Sequence, residues 1–221
     1  MRTTVAPYAL HIRLFGPLEL SYGDGSTHAP VGHDRLVSLP TSTTARSLLA
    51  YLILHHDRPC PRERLIGVFW PDRGTPRARR ALSHTLWQIR SALGSAADRL
   101  STEGDTVTFA MQAGDWLDVT AFERCVESHT SRQDNGTSSP HLPGSLSTRI
   151  QDLSEATTLY RGDFLESIYD DWALVERERL RERYLHTLEW LITLYKQTGD
   201  YNSALTYAQR LVVCDPLCER C

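Results

Sequence analysis

Arginines are concentrated in one short segment of this 221-residue chain. Between Trp70 and Gly94 there are five of them, at positions 73, 77, 79, 80 and 90, and a single acid, Asp72. Guanidinium groups bind phosphate oxygens and the acceptor edge of guanine, so this composition predicts contact with a polyanion. The formal net charge of the whole chain is −3, so the arginines do not simply reflect a basic protein.

The charge of the chain changes sign near residue 100. From Thr43 to Arg99 there are ten arginines and four acids, a net charge of +6. From Asp115 to Cys221 there are eleven basic and eighteen acidic residues, a net charge of −7. This asymmetry predicts two domains with different partners, of which only the first faces an anionic one.

Other residue types that could do chemistry do not form recognisable sites. The five cysteines lack the paired CxxC units or accompanying histidines of a zinc site, and we expect reduced, incidental thiols. The pair His55–His56 falls at the predicted end of a helix, and Asp170–Asp171 at the predicted start of another. The sequence has no GxxxxGK, HExxH or GxSxG motif. We therefore expect no enzyme, no cofactor and no metal.

Hydrophobic periodicity predicts the elements that position the arginine segment. Residues 8–22 alternate apolar and polar side chains like strands, whereas "TARSLLAYLILHH" and "PRERLIGVFW" have helical spacing. A third helix is predicted over 76–93, with Thr75 as its N-cap and Gly94 as its C-terminal cap. The stretch "RLSTEGDTVTFAM" alternates on both sides of a Gly-containing turn and predicts a hairpin.

The predicted helix over 76–93 has two different faces. At 100° per residue, one stripe is apolar and must pack on the preceding helices; it comprises Ala78, Leu82, Thr85, Leu86, Ile89 and Leu93. The opposite face has no carboxylate, although surface helices usually mix charges to form pairs between residues i and i+4. It consists of arginines, polar donors and one exposed tryptophan: Arg77, Arg80, Ser83, His84, Trp87 and Ser91, with Arg79 and Arg90 nearer its edges.

A strand sheet, two helices, a longer helix and a hairpin, in this order, indicate a winged helix-turn-helix. The last helix of such a unit enters the major groove of DNA. We predict that the following residues contact DNA: Arg73, Arg77, Arg79, Arg80, Ser83, His84, Trp87, Arg90, Ser91 and Arg99. The hairpin tip carries Glu103 and Asp105, so we expect no contact from the wing beyond Arg99.

From Asp115 onward the chain has helical periodicity almost throughout. Helices are predicted from Asp118 or Thr120, and over about 148–160, 170–197 and 202–214, with a Ser-, Gly- and Pro-rich loop at 131–148. From Leu188 to Pro216 the apolar residues match the spacing of the roughly 34-residue TPR unit. One such unit cannot bury its own face. We therefore expect the helical module to be truncated at its C-terminus in this chain.

These segments carry a family resemblance. Residues 8–112 resemble the OmpR-type winged helix, on "TSTTARSLLAYLILHHDRPCPRERLIGVFWPD" and "LWQIRSALG". Residues 115–221 resemble the bacterial transcriptional activator domain, a TPR-like module, on "LDVTAFE", "ATTLYRGDFLESIYDDWALVERERLRERYL" and "YKQTGDYNSALTYAQRLVVCDPLCER". The pair, in this order, resembles the SARP-type bacterial transcriptional regulators. The resemblance implies an α+β winged helix-turn-helix followed by an all-α TPR-like domain, in a cytoplasmic, sequence-specific DNA-binding activator.

The expected partners follow from the same interpretation. The first domain would bind double-stranded promoter DNA, with the helix over 76–93 in the major groove, and we expect a homodimer on DNA. The helical domain would contact RNA polymerase or other subunits of the same protein. No apolar run is long enough for a membrane helix, so we expect no membrane contact. The alternative function is a non-catalytic protein-interaction scaffold, in which the TPR-like helices and the winged helix are docking surfaces.

Overall fold

The computed structural model describes residues 9–23, 35–72, 74–134 and 143–214, and most of these are helical. The strands of the described chain are β1 Ala9–Arg13, β2 Glu19–Gly23, β3 Arg35–Leu36, β4 Cys60–Pro61, β5 Leu100–Glu103, β6 Thr106–Phe109 and β7 Trp116–Leu117. Its helices are α1 Thr43–Leu54, α2 Arg62–Phe69, α3 Thr75–Leu93, α4 Asp118–Asp134, α5 Pro143–Leu159, α6 Asp171–Thr198 and α7 Tyr201–Cys214. None of the helices within these ranges is long and apolar enough to cross a membrane.

The first sheet has the strand order β3-β2-β1-β7. β1 pairs antiparallel with β2, as the alternation of residues 8–22 predicted, and Ile12 lies opposite Leu20. On its other side Ile12 lies opposite Leu117 of β7, in a parallel pairing. β7 has only two residues, too few to show a period of two, and it was not predicted.

The three helices of the first half are those that the periodicity predicted. α1 and α2 both pack on α3, and α1 contributes the fully buried Leu48, Leu49, Leu52 and Ile53. α2 begins one residue later than predicted, because Pro61 is paired in β4 with Thr106 of β6. The predicted hairpin of β5 and β6 is therefore the larger part of a second sheet, with the order β4-β6-β5.

Helix α3 has the predicted orientation about its own axis. Its buried residues are the six of the predicted apolar stripe: Ala78, Leu82, Thr85, Leu86, Ile89 and Leu93. The N-cap is Gly74 and not Thr75, which is already helical, and Pro76 lies in the first turn. Gly94 ends the helix as predicted, with a φ of 56° that favours glycine. A short 3-10 helix, Gly94–Arg99, then leads into β5.

In the second half each helix packs on the next one along the chain, from α4 to α7. α4 and α5 extend into the segment 131–148 that was predicted as a loop, and residues 135–142 lie outside the described chain. The turn between α6 and α7 is made by Gly199, with a φ of 78°. Ala204, one turn into α7, is buried against α6.

The two halves of the chain share one hydrophobic core. The carboxylate of Asp118, the first residue of α4, accepts hydrogen bonds from the backbone N–H groups of Leu14 and Phe15 at 2.9 Å. Burial raises the pKa of Asp118 to about 6, against the effect of these N–H donors. The Phe15 ring packs on Phe122 of α4 and on Tyr160. The predicted boundary between residues 112 and 115 falls in the β6–β7 connection, and the division into two domains stays a prediction.

A second connection joins the helical half to α1. Ser47, fully buried in the middle of α1, donates its hydroxyl to the carboxylate of Asp170 and accepts a hydrogen bond from the Trp172 indole at 3.1 Å. The Trp172 ring also packs edge to face on Tyr51 of α1. Because α1 packs on α3, these contacts tie the orientation of α3 to the helical half.

Candidate nucleic-acid interface

The outward face of α3 is exposed along its length. The predicted residues that are exposed on this face are Arg77, Arg79, Arg80, Ser83, His84, Trp87 and Ser91. We call this surface the arginine face. The opposite stripe of α3 is buried on α1 and α2, so the helix cannot turn this face inward without exposing its apolar side chains.

The N-terminal end of α3 is electrostatically open to an anion. Gly74 provides no side-chain cap, and the first turn contains no acid. The first N–H groups and the positive end of the helix dipole therefore lie beside Arg77 and Arg80. Among the described residues, no carboxylate forms an ion pair with Arg77 or Arg80.

Arg79 is paired, through an acid from another helix. Its guanidinium donates to the carboxylate of Glu63 in α2 at 2.6 Å, and both side chains are more than half exposed. The hydrogen bond that Arg79 donates to Glu63 raises the pKa of Arg79. The predicted absence of carboxylates thus holds for α3 itself but not for its neighbour. Exposed pairs of this kind contribute little and are screened by salt, so a phosphate can compete for Arg79.

Arg62 is a cation of this surface that the sequence analysis did not identify. It lies in the first turn of α2 and donates to the Ser83 hydroxyl of α3 at 2.9 Å. Helical periodicity within α3 could not reveal it, because the contact joins residues 21 positions apart. The packing of α2 on α3 therefore adds a guanidinium beside the arginine face.

Arg99 does not belong to this surface, and its predicted contact with DNA is wrong. Its side chain is 4% exposed and donates through two nitrogens to both carboxylate oxygens of Asp115, at 2.9 Å each. The side chain of Asp115 is itself fully buried and also accepts hydrogen bonds from the N–H groups of Leu10 and Gln112. Although burial alone would raise it, these hydrogen bonds hold the pKa of Asp115 below its usual value. Arg99 thus anchors β1 and the β6–β7 connection.

Arg90 is intermediate between the exposed arginines of the arginine face and the buried, structural Arg99. It is half-buried and donates to the Thr102 hydroxyl at 2.9 Å and to the Leu100 carbonyl at 3.3 Å. These bonds connect the last turn of α3 to β5. Any contact between Arg90 and a phosphate would therefore be made by a side chain that the hairpin already orients.

The hairpin and the α2–α3 turn complete the surroundings of the arginine face. The hairpin tip has Gly104 at a φ of 55°, between the exposed Glu103 and Asp105, so its charge is negative as the sequence indicated. Arg73, the remaining predicted contact, lies outside the described residues and stays a prediction.

Near the centre of the arginine face two aromatic rings are stacked. The imidazole of His84 and the indole of Trp87 have centroids 5.8 Å apart and planes 21° apart. Trp87 remains 63% exposed in this arrangement. The exposed indole therefore lies among the cationic side chains of the arginine face.

The histidine pair His55–His56 lies where helix α1 ends. Both rings lie at the C-terminal end of α1, and each Nδ1 is 2.9 Å from a carbonyl oxygen of the preceding turn. Burial lowers the pKa of His55. The two rings therefore cap the helix end, as predicted.

Comparisons with known proteins agree with this architecture. Residues 117–221 match the family described as the bacterial transcriptional activator domain. Among solved structures, the chain is similar to Mycobacterium tuberculosis EmbR, determined in complex with a low affinity phosphopeptide, with a TM-score of 0.56 and 19% sequence identity. That match covers 93% of this chain and 59% of the EmbR chain, and at this identity it shows a shared fold.

No curated protein sequence matches the chain. The present chain spans 59% of the EmbR chain. Residues 117–221 thus match the domain that the sequence resemblance assigned to residues 115–221, and the EmbR match shows a shared fold.

Proposed function

We propose that the chain is a sequence-specific DNA-binding transcriptional regulator that acts as an activator. In this proposal residues 8–112 form a winged helix-turn-helix, and residues 115–221 form a TPR-like regulatory module. The single observation that carries it is the arginine face, an exposed helix surface without its own acids on an otherwise acidic protein.

The dimensions of α3 suit insertion into DNA. Its 19 residues make a rod about 28 Å long at 1.5 Å per residue. The major groove is about 12 Å wide and accepts an α-helix. Arg80 and His84 lie at the centre of the outward face and would approach base edges, whereas Arg79 and Arg90 at its borders would approach phosphates.

The helical half is the proposed contact with RNA polymerase or with a second copy of the chain. α7 presents an exposed apolar surface comprising Tyr201, Leu205, Val212 and Val213. Exposed apolar surface of this kind is typical of interaction sites. The same surface supports the second candidate function, a non-catalytic scaffold, in which the arginine face would bind an acidic protein and not DNA.

The salt dependence of DNA binding tests the proposal. We expect the affinity for a nonspecific duplex to fall steeply between about 50 and 200 mM salt, because each neutralised phosphate contributes a slope of about −0.9. The double variant Arg77→Gln/Arg80→Gln should make that slope less steep by the contribution of about two phosphate contacts.

A matched control removes two charges elsewhere. Arg124 and Arg161 are exposed in the helical half, so Arg124→Gln/Arg161→Gln should leave the slope unchanged. Fluorescence anisotropy with a labelled duplex measures all three proteins. Binding that does not depend on salt, or equal losses in the two double variants, would contradict the proposed DNA interface and favour the scaffold.

A further inference from the structure

The side chain of Trp87 does not pack in the hydrophobic core. Its neighbours on α3, Leu86 and Ile89, are 2% and 0% exposed and pack in the core, whereas Trp87 is 63% exposed. Exposed indole surface is unfavourable in water, by about 25 cal/mol per Å² of apolar area. Its location at the middle of the arginine face therefore points to a ligand that covers it.

The stack with His84 gives the indole a defined orientation. His84 precedes Trp87 by three residues, so the two side chains lie on the same side of α3. The nearly parallel rings restrict the rotamers of the indole before any ligand arrives. An aromatic side chain that is already ordered loses less entropy on binding, and this favours a specific contact over a diffuse one.

The chemistry of the major groove offers one apolar partner. Base edges there present hydrogen-bond donors and acceptors, and the C5-methyl group of thymine is their apolar feature. We propose that Trp87, oriented by His84, contacts the C5-methyl group of a thymine and so selects that base. This inference rests on the proposed function, because it requires α3 to lie in the major groove.

The spacing along α3 also predicts where the thymine lies. Arg80 and Trp87 are seven residues, or two turns, apart and are separated by about 10 Å along the helix axis. Base pairs are stacked every 3.4 Å or so, and this distance therefore corresponds to about three base-pair steps. If Arg80 contacts a guanine, the thymine selected by Trp87 lies about three base pairs from it.

The test removes the methyl group alone. A high-affinity site is selected from a randomised duplex pool with the full chain, and each thymine in it is replaced in turn by deoxyuridine. Uracil keeps the hydrogen-bonding groups of thymine, so only the methyl contact is lost. We expect one position, about three base pairs from a guanine, at which the affinity falls about three- to fivefold, as burial of one methyl group requires.

A cycle with protein variants assigns the effect to Trp87. With Trp87→Ala, the same replacement should change the affinity less than 1.5-fold or so, and with Trp87→Phe part of the loss should remain. Placing 5-methylcytosine where the pool tolerates cytosine should strengthen binding by the wild-type chain but not by Trp87→Ala. Thermal unfolding of both variants should match the wild type, because the side chain is exposed.

The outcomes separate this inference from the function on which it rests. Binding without salt dependence would remove the proposed function itself. A selected site whose thymines all tolerate uracil, a site without thymine at the expected distance, or an equal loss in wild type and Trp87→Ala would overturn the role of Trp87. In these three cases the arginine face would still be the DNA-binding surface.

Discussion

The arginines of α3 and those of α6 are the same residue type in opposite roles. In α6, Arg179 donates to Glu176 on its own helix and to Glu123 of α4, and Arg177 donates to three backbone carbonyls of residues 164–168. In α3, Arg77 and Arg80 have no such acidic partner among the described residues. Arg177 and Arg179 therefore hold the protein together, whereas Arg77 and Arg80 are available to another molecule.

Whether an arginine is paired depends partly on its neighbours in the sequence and partly on tertiary packing. The run "ERERLRER" in α6 alternates acids and bases. Glu176 and Arg179, which are three positions apart in it, form an ion pair on one side of the helix. The corresponding run in α3, "RARRALSH", has no acid to pair with. Pairs within a helix can thus be predicted from spacing. Pairs such as Arg79 with Glu63 depend on tertiary packing.

The largest expected effect concerns Arg99, which follows α3 but is bound like the arginines of the helical half. Arg99→Ala should lower the free energy of unfolding by roughly 3–5 kcal/mol, because it leaves the buried carboxylate of Asp115 without its cation. Chemical denaturation monitored by circular dichroism measures this loss. Unchanged stability combined with weaker DNA binding would return Arg99 to the arginine face.

Substitution of Arg80 should have the converse effect. Arg80→Ala should reduce the preference for a selected site over random duplex by about 1–3 kcal/mol, the value of a bidentate contact to guanine. Its stability should equal that of the wild type, because the side chain is exposed. Competition binding with both duplexes provides the measurement. Equal weakening on the two duplexes would mean that Arg80 only binds phosphate.

Arg90 should show both effects, each at reduced size. Arg90→Ala removes the hydrogen bonds to Thr102 and Leu100 and should cost about 0.5–1.5 kcal/mol of stability. It should also flatten the salt slope by about one unit if the guanidinium reaches a phosphate. Thr102→Val is the matched control, since it removes the acceptor and keeps the charge. If Thr102→Val flattens the salt slope as much as Arg90→Ala does, the hairpin determines the phosphate contact by orienting Arg90.

The smallest expected effect is that of Arg179. Arg179→Ala breaks partly exposed ion pairs with Glu176 and Glu123, and it should cost about 0.2–1 kcal/mol of stability. DNA affinity and its salt slope should not change. Thermal unfolding and anisotropy on one protein sample test both statements, and a reduced slope would break the distinction between the two groups of arginines.

How far the sequence could be interpreted depends on the range of each interaction. The phase of α3 was predicted correctly at all six buried positions, because the periodicity of a 19-residue amphipathic helix is a local property. The strands β4 and β7 have two residues each and show no period, so only their partners define them. The burial of Arg99 could not be predicted either. It depends on Asp115, which is brought to it by the turn after the hairpin.

The carboxylate of Asp118 has a consequence for the order of events during synthesis. It receives the N–H groups of Leu14 and Phe15, which precede it by 104 and 103 positions. At roughly 5–20 residues per second, the segment after β1 is synthesised about 5–20 s before this acceptor. The edge of β1 that β7 later covers is unpaired during that interval and can pair with another nascent chain. Synthesis that pauses before Asp118 will therefore favour aggregation, whereas a pause after the first turns of α4 will not.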